Sequence, residues 1–360
     1  MYNRFNLTLM VNHACNLRCT YCYTGEKVHR PMPEDVGERA IDRAVASLTP
    51  GGTLNLGFFG GEPMLEAHRA RHFMEYARRR TAATGRRLTA GLTTNGTIVT
   101  PDAWSLMTSP DVNLAISHDG LPAVHDAHRR TLDGGETSDI VLATMSGLLD
   151  AGKDFTVVMT VRPDTVEFLV SGVCFLRKVG VRQVTPALDL WTAWTAGDRE
   201  RLAESLIRLG EVWRKGLPEF SISWFDEKAA LLMRLPRTAC GRCGFGDGEV
   251  AVAPSGNLYP CERLIGDDSE SNAMRLPGNA RTGVHFLGFP PAPVRASAAC
   301  AACPIRAVCD TTCRCSNYVR TGRVDRPDGL LCLLNKVCVR EVLRQLHKMR
   351  SVPAYARSEN

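Results

Sequence analysis

Three cysteines, Cys15, Cys19 and Cys22, fall within one short loop directly after the apolar, strand-like run Phe5–Asn12. Three thiolates at such short gaps can grip a [4Fe–4S] cube by three corners and leave the fourth iron without a protein ligand. That open corner can be chelated by a small molecule carrying an amine and a carboxylate. A structural zinc ion instead wants four protein ligands, often as two close pairs, and nothing in the neighbouring sequence supplies the fourth. Whatever fold the chain adopts must therefore present this loop at the end of a strand, beside room for a cluster and a small ligand.

The chain holds fourteen cysteines in 360 residues, and Met1-Tyr-Asn-Arg leads straight into a strand pattern with no export signal. That combination argues for metal or redox chemistry in a reducing cytosol rather than disulfides. A hydrophobic content of 44% and a charged content of 23% describe an ordinary globular protein able to bury a core. No apolar run approaches the roughly 20 residues a membrane span needs. The formal charge of +6 is mild and lacks a concentrated basic run. It suits an acidic peptide or electron donor and gives no reason to invoke nucleic acid.

From Phe5 to about Leu190 short strands alternate with amphipathic helices, which predicts βα repeats and a parallel sheet. The strands read as Phe5–Asn12, Thr53–Gly61, Leu88–Asn95, Val112–Ser117, Phe155–Val161 and Gln183–Leu188. Beyond Ser221 the rhythm fails and cysteines crowd in. Cys240 and Cys243 precede a hairpin-like Glu249–Ala253, a Pro-Ser-Gly-Asn turn and Leu258–Cys261. Asp267–Pro293 is Gly/Pro-rich and reads as a loop; Cys300, Cys303, Cys309, Cys313 and Cys332 follow, and the amphipathic stretch Leu330–Met349 reads as a closing helix.

The loop spacing C-x3-C-x-aromatic-C, with Tyr21 as the aromatic residue, resembles the signature of the radical S-adenosylmethionine (radical SAM) superfamily. The resemblance implies an α/β fold, a partial (β/α)6 TIM-like barrel over residues 1–220. Ligands of such barrels meet the C-terminal strand ends. By the resemblance, Tyr21 belongs to the cofactor-binding loop. Gly60, Gly61 and Glu62 of the Gly-Gly-Glu-Pro turn bind the SAM amino group, the glycines letting backbone approach the ligand. Asn95 lines the same cavity. Ser117 and Asp119 lie near the SAM ribose and carboxylate, and Arg129 or Arg130 could neutralise that carboxylate or be solvated surface. Family members usually have a small or hydrophobic residue where His118 stands, so His118 is given no catalytic role.

The pattern Cys243-x12-Gly256-x4-Cys261, then C-x2-C-x5-C-x3-C, then Cys332, resembles the seven-cysteine SPASM domain, here residues 221–350 with a 351–360 tail. By that resemblance two auxiliary [4Fe–4S] clusters are expected. Cys243, Cys261 and Cys313 would hold the first, with Cys240 as a fourth ligand at a shifted offset. Cys300, Cys303, Cys309 and Cys332 would hold the second. Cys174 and Cys338 fall on apolar helix faces and read as core, and Cys315 as a spare thiol or alternative ligand. Trp191 and Trp194 either line a substrate channel or are buried. Glu262 follows Cys261 where sulfatase-maturing relatives carry Asp; it is either the catalytic base, one methylene longer and so suited to a different substrate, or a solvated turn residue.

The resemblance implies a cytoplasmic enzyme whose N-terminal cluster, reduced by flavodoxin or ferredoxin, cleaves SAM to the 5′-deoxyadenosyl radical. That radical would take hydrogen from a peptide or protein side chain, with the auxiliary clusters accepting the second electron. Oxidation or crosslinking would result. Because the chain starts at the first barrel strand, a ribosomal peptide substrate is expected to need a separate leader-peptide-binding protein or direct binding in the cleft. A dehydrogenase of aminoglycoside-type alcohols is the alternative enzyme, and a multi-cluster iron–sulfur electron carrier the alternative of another class. The carrier would need no SAM cradle such as Glu62 and Ser117.

Overall fold

The computed structural model describes residues 1–235, 243–289, 298–309 and 313–351. Among these the strands are β1 (Tyr2–Asn12), β2 (Leu48–Gly60), β3 (Arg87–Thr94), β4 (Val112–Ser117), β5 (Phe155–Val161), β6 (Gln183–Leu188), β7 (Ser221–Ile222), β8 (Glu249–Val252), β9 (Asn257–Tyr259) and β10 (Leu276–Asn279). The protein is α/β, and β1 to β6 coincide with the six strands expected from the sequence. The chain divides into two compact units: Met1–His118 with His125–Phe155 and Cys243–Pro293, and Asp119–Val124 with Thr156–Arg242 and Val294–Asn360.

In the first unit the strands lie in the order β10-β9-β8-β1-β2-β3-β4. The β1–β2, β2–β3 and β3–β4 pairs are parallel, because each strand returns through a helix: Glu34–Ala46, Ala67–Ala83 and Pro101–Thr108. Alternation sets the register. Phe5, Leu7 and Leu9 of β1 pair with Leu54, Leu56 and Phe58 of β2, and all six are buried. The intervening Asn6 turns to the other face, where its Oδ1 accepts Nδ2 of Asn55 at 2.7 Å.

β8 lies parallel to β1, with Asn6 opposite Glu249 and Leu9 opposite Val252. The cysteine-rich hairpin thus extends the same sheet from its other edge. β9 runs antiparallel to β8, and β10 antiparallel to β9, so part of the segment expected as a loop is a strand. Arg43 fixes that segment. Its buried guanidinium donates to the carbonyls of Asn279 (2.6 Å) and His285 (2.9 Å) and lies 4.2 Å over the ring of Phe286. Met10, Ala251, Ala253, Tyr259 and Ile265 form one buried cluster at this edge.

In the second unit β5, β6 and β7 run parallel. The helix Leu169–Val179 ends at Gly180, whose φ of 105° is the left-handed value that glycine tolerates. Its Leu169, Val173 and Leu176 are buried, whereas Cys174, expected as core, is exposed. It follows Val173 by one position and so turns about 100° away from that stripe. Trp213 of the helix Ala196–Gly216 donates to Asp226 at 2.8 Å and stacks on Phe225. Among the described residues no helix is long and apolar enough to cross a membrane.

Candidate active site

β1 ends in Asn12, fully buried, whose side chain ties the start of the cysteine loop to its surroundings. Its Oδ1 accepts the backbone N–H of Ala14 (3.0 Å) and of Arg30 (3.1 Å), and its Nδ2 donates to Glu66 at 3.1 Å. The far side of the loop hydrogen-bonds to the segment after His125. Arg18 N–H donates to the Arg130 carbonyl (2.8 Å) and Thr20 N–H to the His128 carbonyl (3.0 Å). Arg129 is buried, with its guanidinium 5.3 Å over the ring of Tyr21. Arg130 instead donates to the Gly134 carbonyl at 2.8 Å. Of the two arginines, Arg129 is the one packed on the cysteine loop.

The Cys15 thiol feels both of the others. Burial pushes the Cys15 thiol up to about 11, and the Leu17 N–H, 3.4 Å from its sulfur, opposes this; Glu62, Cys19 and Cys22 add to the rise. At Cys22 burial also acts upward, but the Lys27 ammonium and the Thr24 hydroxyl, 3.4 Å away, outweigh it and hold the thiol below its usual value. Arg18, Cys19, Cys22, Glu26 and Lys27 border an open cavity of about 470 Å³. Three thiols close enough in sequence to face one space, with Cys19 and Cys22 both adding to the rise at Cys15, fit a cationic iron–sulfur core. Binding the core would replace the repulsion felt at Cys15 with metal–thiolate bonds.

Gly60 and Gly61 at the end of β2 have a steric cause different from the one expected. A Cβ on Gly61 would lie 2.2 Å from the Ala14 carbonyl oxygen, and one on Gly60 2.5 Å from that of Asn12. Their bareness lets the turn seat on the cysteine loop itself, where Gly61 N–H meets Asn12 O and Glu62 N–H meets Ala14 O, both at 2.9 Å. Glu62 is buried between that loop and the end of β3. Its Oε1 accepts Met64 N–H (2.9 Å) and the Thr94 hydroxyl (2.7 Å); its Oε2 accepts Asn95 N–H (2.7 Å). Burial nevertheless pushes its carboxyl up to about 7 against these three donors. A carboxylate offers about four acceptor sites, and these donors occupy three of them.

Asn95 closes the ring of contacts. Its Nδ2 donates to Asn16 Oδ1 (2.9 Å) and lies 3.9 Å from Cys15 Sγ, while Asn16 donates to Thr97 at 2.7 Å. Asn12, Asn16, Glu66 and Thr97 were not singled out from the sequence; single polar residues in loops carry no local signal for such a network. Ser117 ends β4 in the first unit. The next residue, His118, is fully buried, 3.1 Å from the Ser138 hydroxyl, with its ring 4.2 Å from that of His125 and tilted 30° to it. Asp119 belongs to the second unit, where its carboxylate accepts Thr160 N–H at 2.9 Å.

Cys243 and Cys261 belong to the first unit, and the Cys261 thiol, 5% exposed, lies 3.5 Å from Glu262 Oε2. Tyr23, stacked on Phe59, is titrated upward by burial and senses the charges of Arg263, Glu262, Cys261 and Cys22. Glu262 is thus within electrostatic reach of the same phenol as the N-terminal cysteine loop. In the second unit Cys332 is raised by burial and by the nearby Cys300 and Cys309, and Cys303 N–H donates to the Cys300 carbonyl at 3.2 Å. Cys338 is buried. Cys240 lies outside the described residues. Trp194 is buried with its indole N–H on the Asp189 carbonyl at 2.9 Å, whereas Trp191 is 45% exposed.

Residues 9–168 match the Radical SAM superfamily model. A serine-type anaerobic sulfatase-maturating enzyme of Klebsiella aerogenes is 26% identical over 270 residues, which cover 71% of this chain and 65% of that protein. The chain therefore spans just under two thirds of that relative's length. A cysteine-type anaerobic sulfatase-maturating enzyme of Clostridium novyi (strain NT) is 23% identical over 291 residues, 73% of this chain and 75% of its own. The solved structure of native anSMEcpe with bound AdoMet and Kp18Cys peptide superposes with a TM-score of 0.79 at 18% identity, covering 96% of this chain and 99% of that one. At that identity the likeness establishes the fold. The matched segment encloses Cys15, Cys19, Cys22, Glu62, Asn95 and Ser117, so the part of the chain that carries the site is similar to the radical SAM superfamily.

Proposed function

We propose that the protein is a radical SAM enzyme that removes two electrons and two protons from a side chain of a peptide or protein. The observation that carries this reading is the link from Cys15 through Asn95 to the carboxylate of Glu62, which ties one of the three loop cysteines to a buried anion. Cys15, Cys19 and Cys22 would hold the [4Fe–4S] cluster and Glu62 the SAM ammonium, with Tyr21, Asn95, Ser117, Asp119 and Arg129 or Arg130 about the rest of the cofactor. When bound, the cluster and SAM together supply the electron transfer and the deoxyadenosyl radical that abstracts hydrogen from substrate.

The residues of this chain have complementary tasks. Asn12 and the Gly60-Gly61 turn hold the cysteine loop against the end of β2. Glu262, beside Cys261, would accept the proton that leaves with the second electron, a role such bases fill with roughly 10²–10⁴-fold effect. Auxiliary clusters on Cys243, Cys261 and Cys313, with Cys240, and on Cys300, Cys303, Cys309 and Cys332 would receive that electron. The two curated relatives act, by their names, in serine- and cysteine-type sulfatase maturation. They support a hydroxyl- or thiol-bearing substrate carbon. A flavodoxin- or ferredoxin-type reductant in the cytoplasm completes the reading.

The test is anaerobic reconstitution with iron and sulfide, reduction, and incubation with SAM and peptides carrying serine or cysteine. A product lighter by two hydrogens, formed with 5′-deoxyadenosine, is expected. Deoxyadenosine with every peptide left unchanged, but with an amino sugar oxidised, would overturn the peptide assignment.

A further inference from the structure

Cys313 stands at the N-cap of the helix Arg314–Thr321, and two side chains of that helix's first turn close on its sulfur. Cys315 Sγ lies 3.3 Å and Ser316 Oγ 3.1 Å from Cys313 Sγ. Both neighbours are enclosed: Cys315 is 3% and Ser316 7% exposed. Cys313, Ser316, Asn317, Asn335, Trp224 and Lys228 also line a cavity of about 150 Å³, and Cys313 itself is half-buried. A thiol at 3.3 Å is too close to bind a separate iron of the same cube, where ligand sulfurs stand much further apart. It is well placed for an S–H···S hydrogen bond.

We propose that Cys315 is a positioning residue for the iron–sulfur centre ligated by Cys313, and that its S–H, with the Ser316 O–H, sets the reduction potential of that centre. The proposal rests on the assignment of Cys313 as a cluster ligand. Once Cys313 is a metal-bound thiolate it has no proton to give, so the direction of both contacts is fixed: Cys315 and Ser316 donate. Hydrogen bonds to ligand sulfur draw charge from the cluster, stabilise its more negative reduced form and raise its potential. The burial of Cys315 and Ser316 strengthens the effect, because these donors have little water to turn to instead. A raised potential suits a centre that takes an electron from substrate instead of delivering one. Cys315, a spare thiol or alternative ligand by sequence, thereby gains a specific task.

The experiment is a redox titration of the reconstituted full chain, followed by electron paramagnetic resonance, for the wild type, Cys315→Ala and Cys315→Ser. Expected are about twelve irons in all three proteins, by the count of three cubes. In Cys315→Ala one auxiliary centre should titrate at lower potential and the others as before. In Cys315→Ser, which keeps a donor, that centre should stay closer to wild type. An unshifted centre in Cys315→Ala would overturn the proposal. So would the loss of about four irons in that variant, which would make Cys315 a ligand. A wild-type protein with only about four irons would instead overturn the assignment of Cys313 on which the proposal rests.

Discussion

Glu62 accepts the backbone N–H of Asn95 at 2.7 Å, and the side-chain amide of the same Asn95 lies 3.9 Å from Cys15 Sγ. One residue therefore fixes the distance between an anion at the end of β2 and a sulfur at the end of β1. The cysteine loop and the Gly-Gly-Glu-Pro turn are further tied together by Gly61 N–H on the Asn12 carbonyl and Glu62 N–H on the Ala14 carbonyl.

The carboxyl of Glu62, pushed up to about 7 by burial, makes cofactor binding sensitive to pH. Only its ionised form attracts the SAM ammonium, and that form is lost as pH falls through 7. Affinity of the cluster-loaded protein for SAM should then drop roughly tenfold per pH unit below about 7 and level off above it. Glu62→Gln should bind SAM about ten- to a hundredfold more weakly, the loss of a charge-assisted bond, and without this pH dependence. Isothermal titration across pH 5.5–8.5 checks both; a flat wild-type profile would count against Glu62 as the ammonium partner.

Gly61→Ala drives a Cβ to 2.2 Å from the Ala14 carbonyl, a contact with backbone that no rotamer relieves. The cysteine loop must move, so the variant should retain about eight of about twelve irons and lose SAM binding. Iron analysis alongside circular dichroism separates this outcome from global unfolding. Full iron content would mean that the loop tolerates displacement.

Arg43 is a structural anchor. Arg43→Ala leaves the carbonyls of Asn279 and His285 without their donor and strips the cation from the face of Phe286. The expected loss is about 2–4 kcal/mol, read as a lowered urea midpoint. A change below about 0.5 kcal/mol would show that β10 does not depend on it.

Glu262→Gln should keep all clusters and still yield 5′-deoxyadenosine, while product forms at least ~100-fold more slowly. Mass spectrometry of both compounds in one reaction reads the uncoupling. Undiminished product would remove Glu262 from the catalytic residues.

The six strands β1 to β6 were legible because each is a short apolar run bounded by turn residues, and their helices because apolar positions recur at helical spacing. The parallel pairing of β8 with β1 was not. Asn6 and Glu249 lie far apart in sequence, and a four-residue strand carries no mark of its partner. β10 was hidden for a related reason: Leu276-Pro-Gly-Asn279 has turn composition, and it is Arg43 and the edge of β9 that hold it extended. At the site, Glu62 and Asn95 stood out through their neighbours in the motif. The glycines before Glu62 were legible as necessary, but their contact is the cysteine loop, which only the folded chain brings there. Asn12 looked like the end of a strand, and the three hydrogen bonds that make it a clamp come from Ala14, Arg30 and Glu66.

The most direct test of the account is the fate of SAM. Wild-type protein, reconstituted and reduced without oxygen, is predicted to convert SAM to methionine and 5′-deoxyadenosine in equal amounts. The triple variant Cys15→Ala, Cys19→Ala, Cys22→Ala is predicted to form none while retaining about eight irons. Deoxyadenosine from the triple variant, or a wild-type protein that carries stoichiometric zinc and leaves SAM intact, would contradict it.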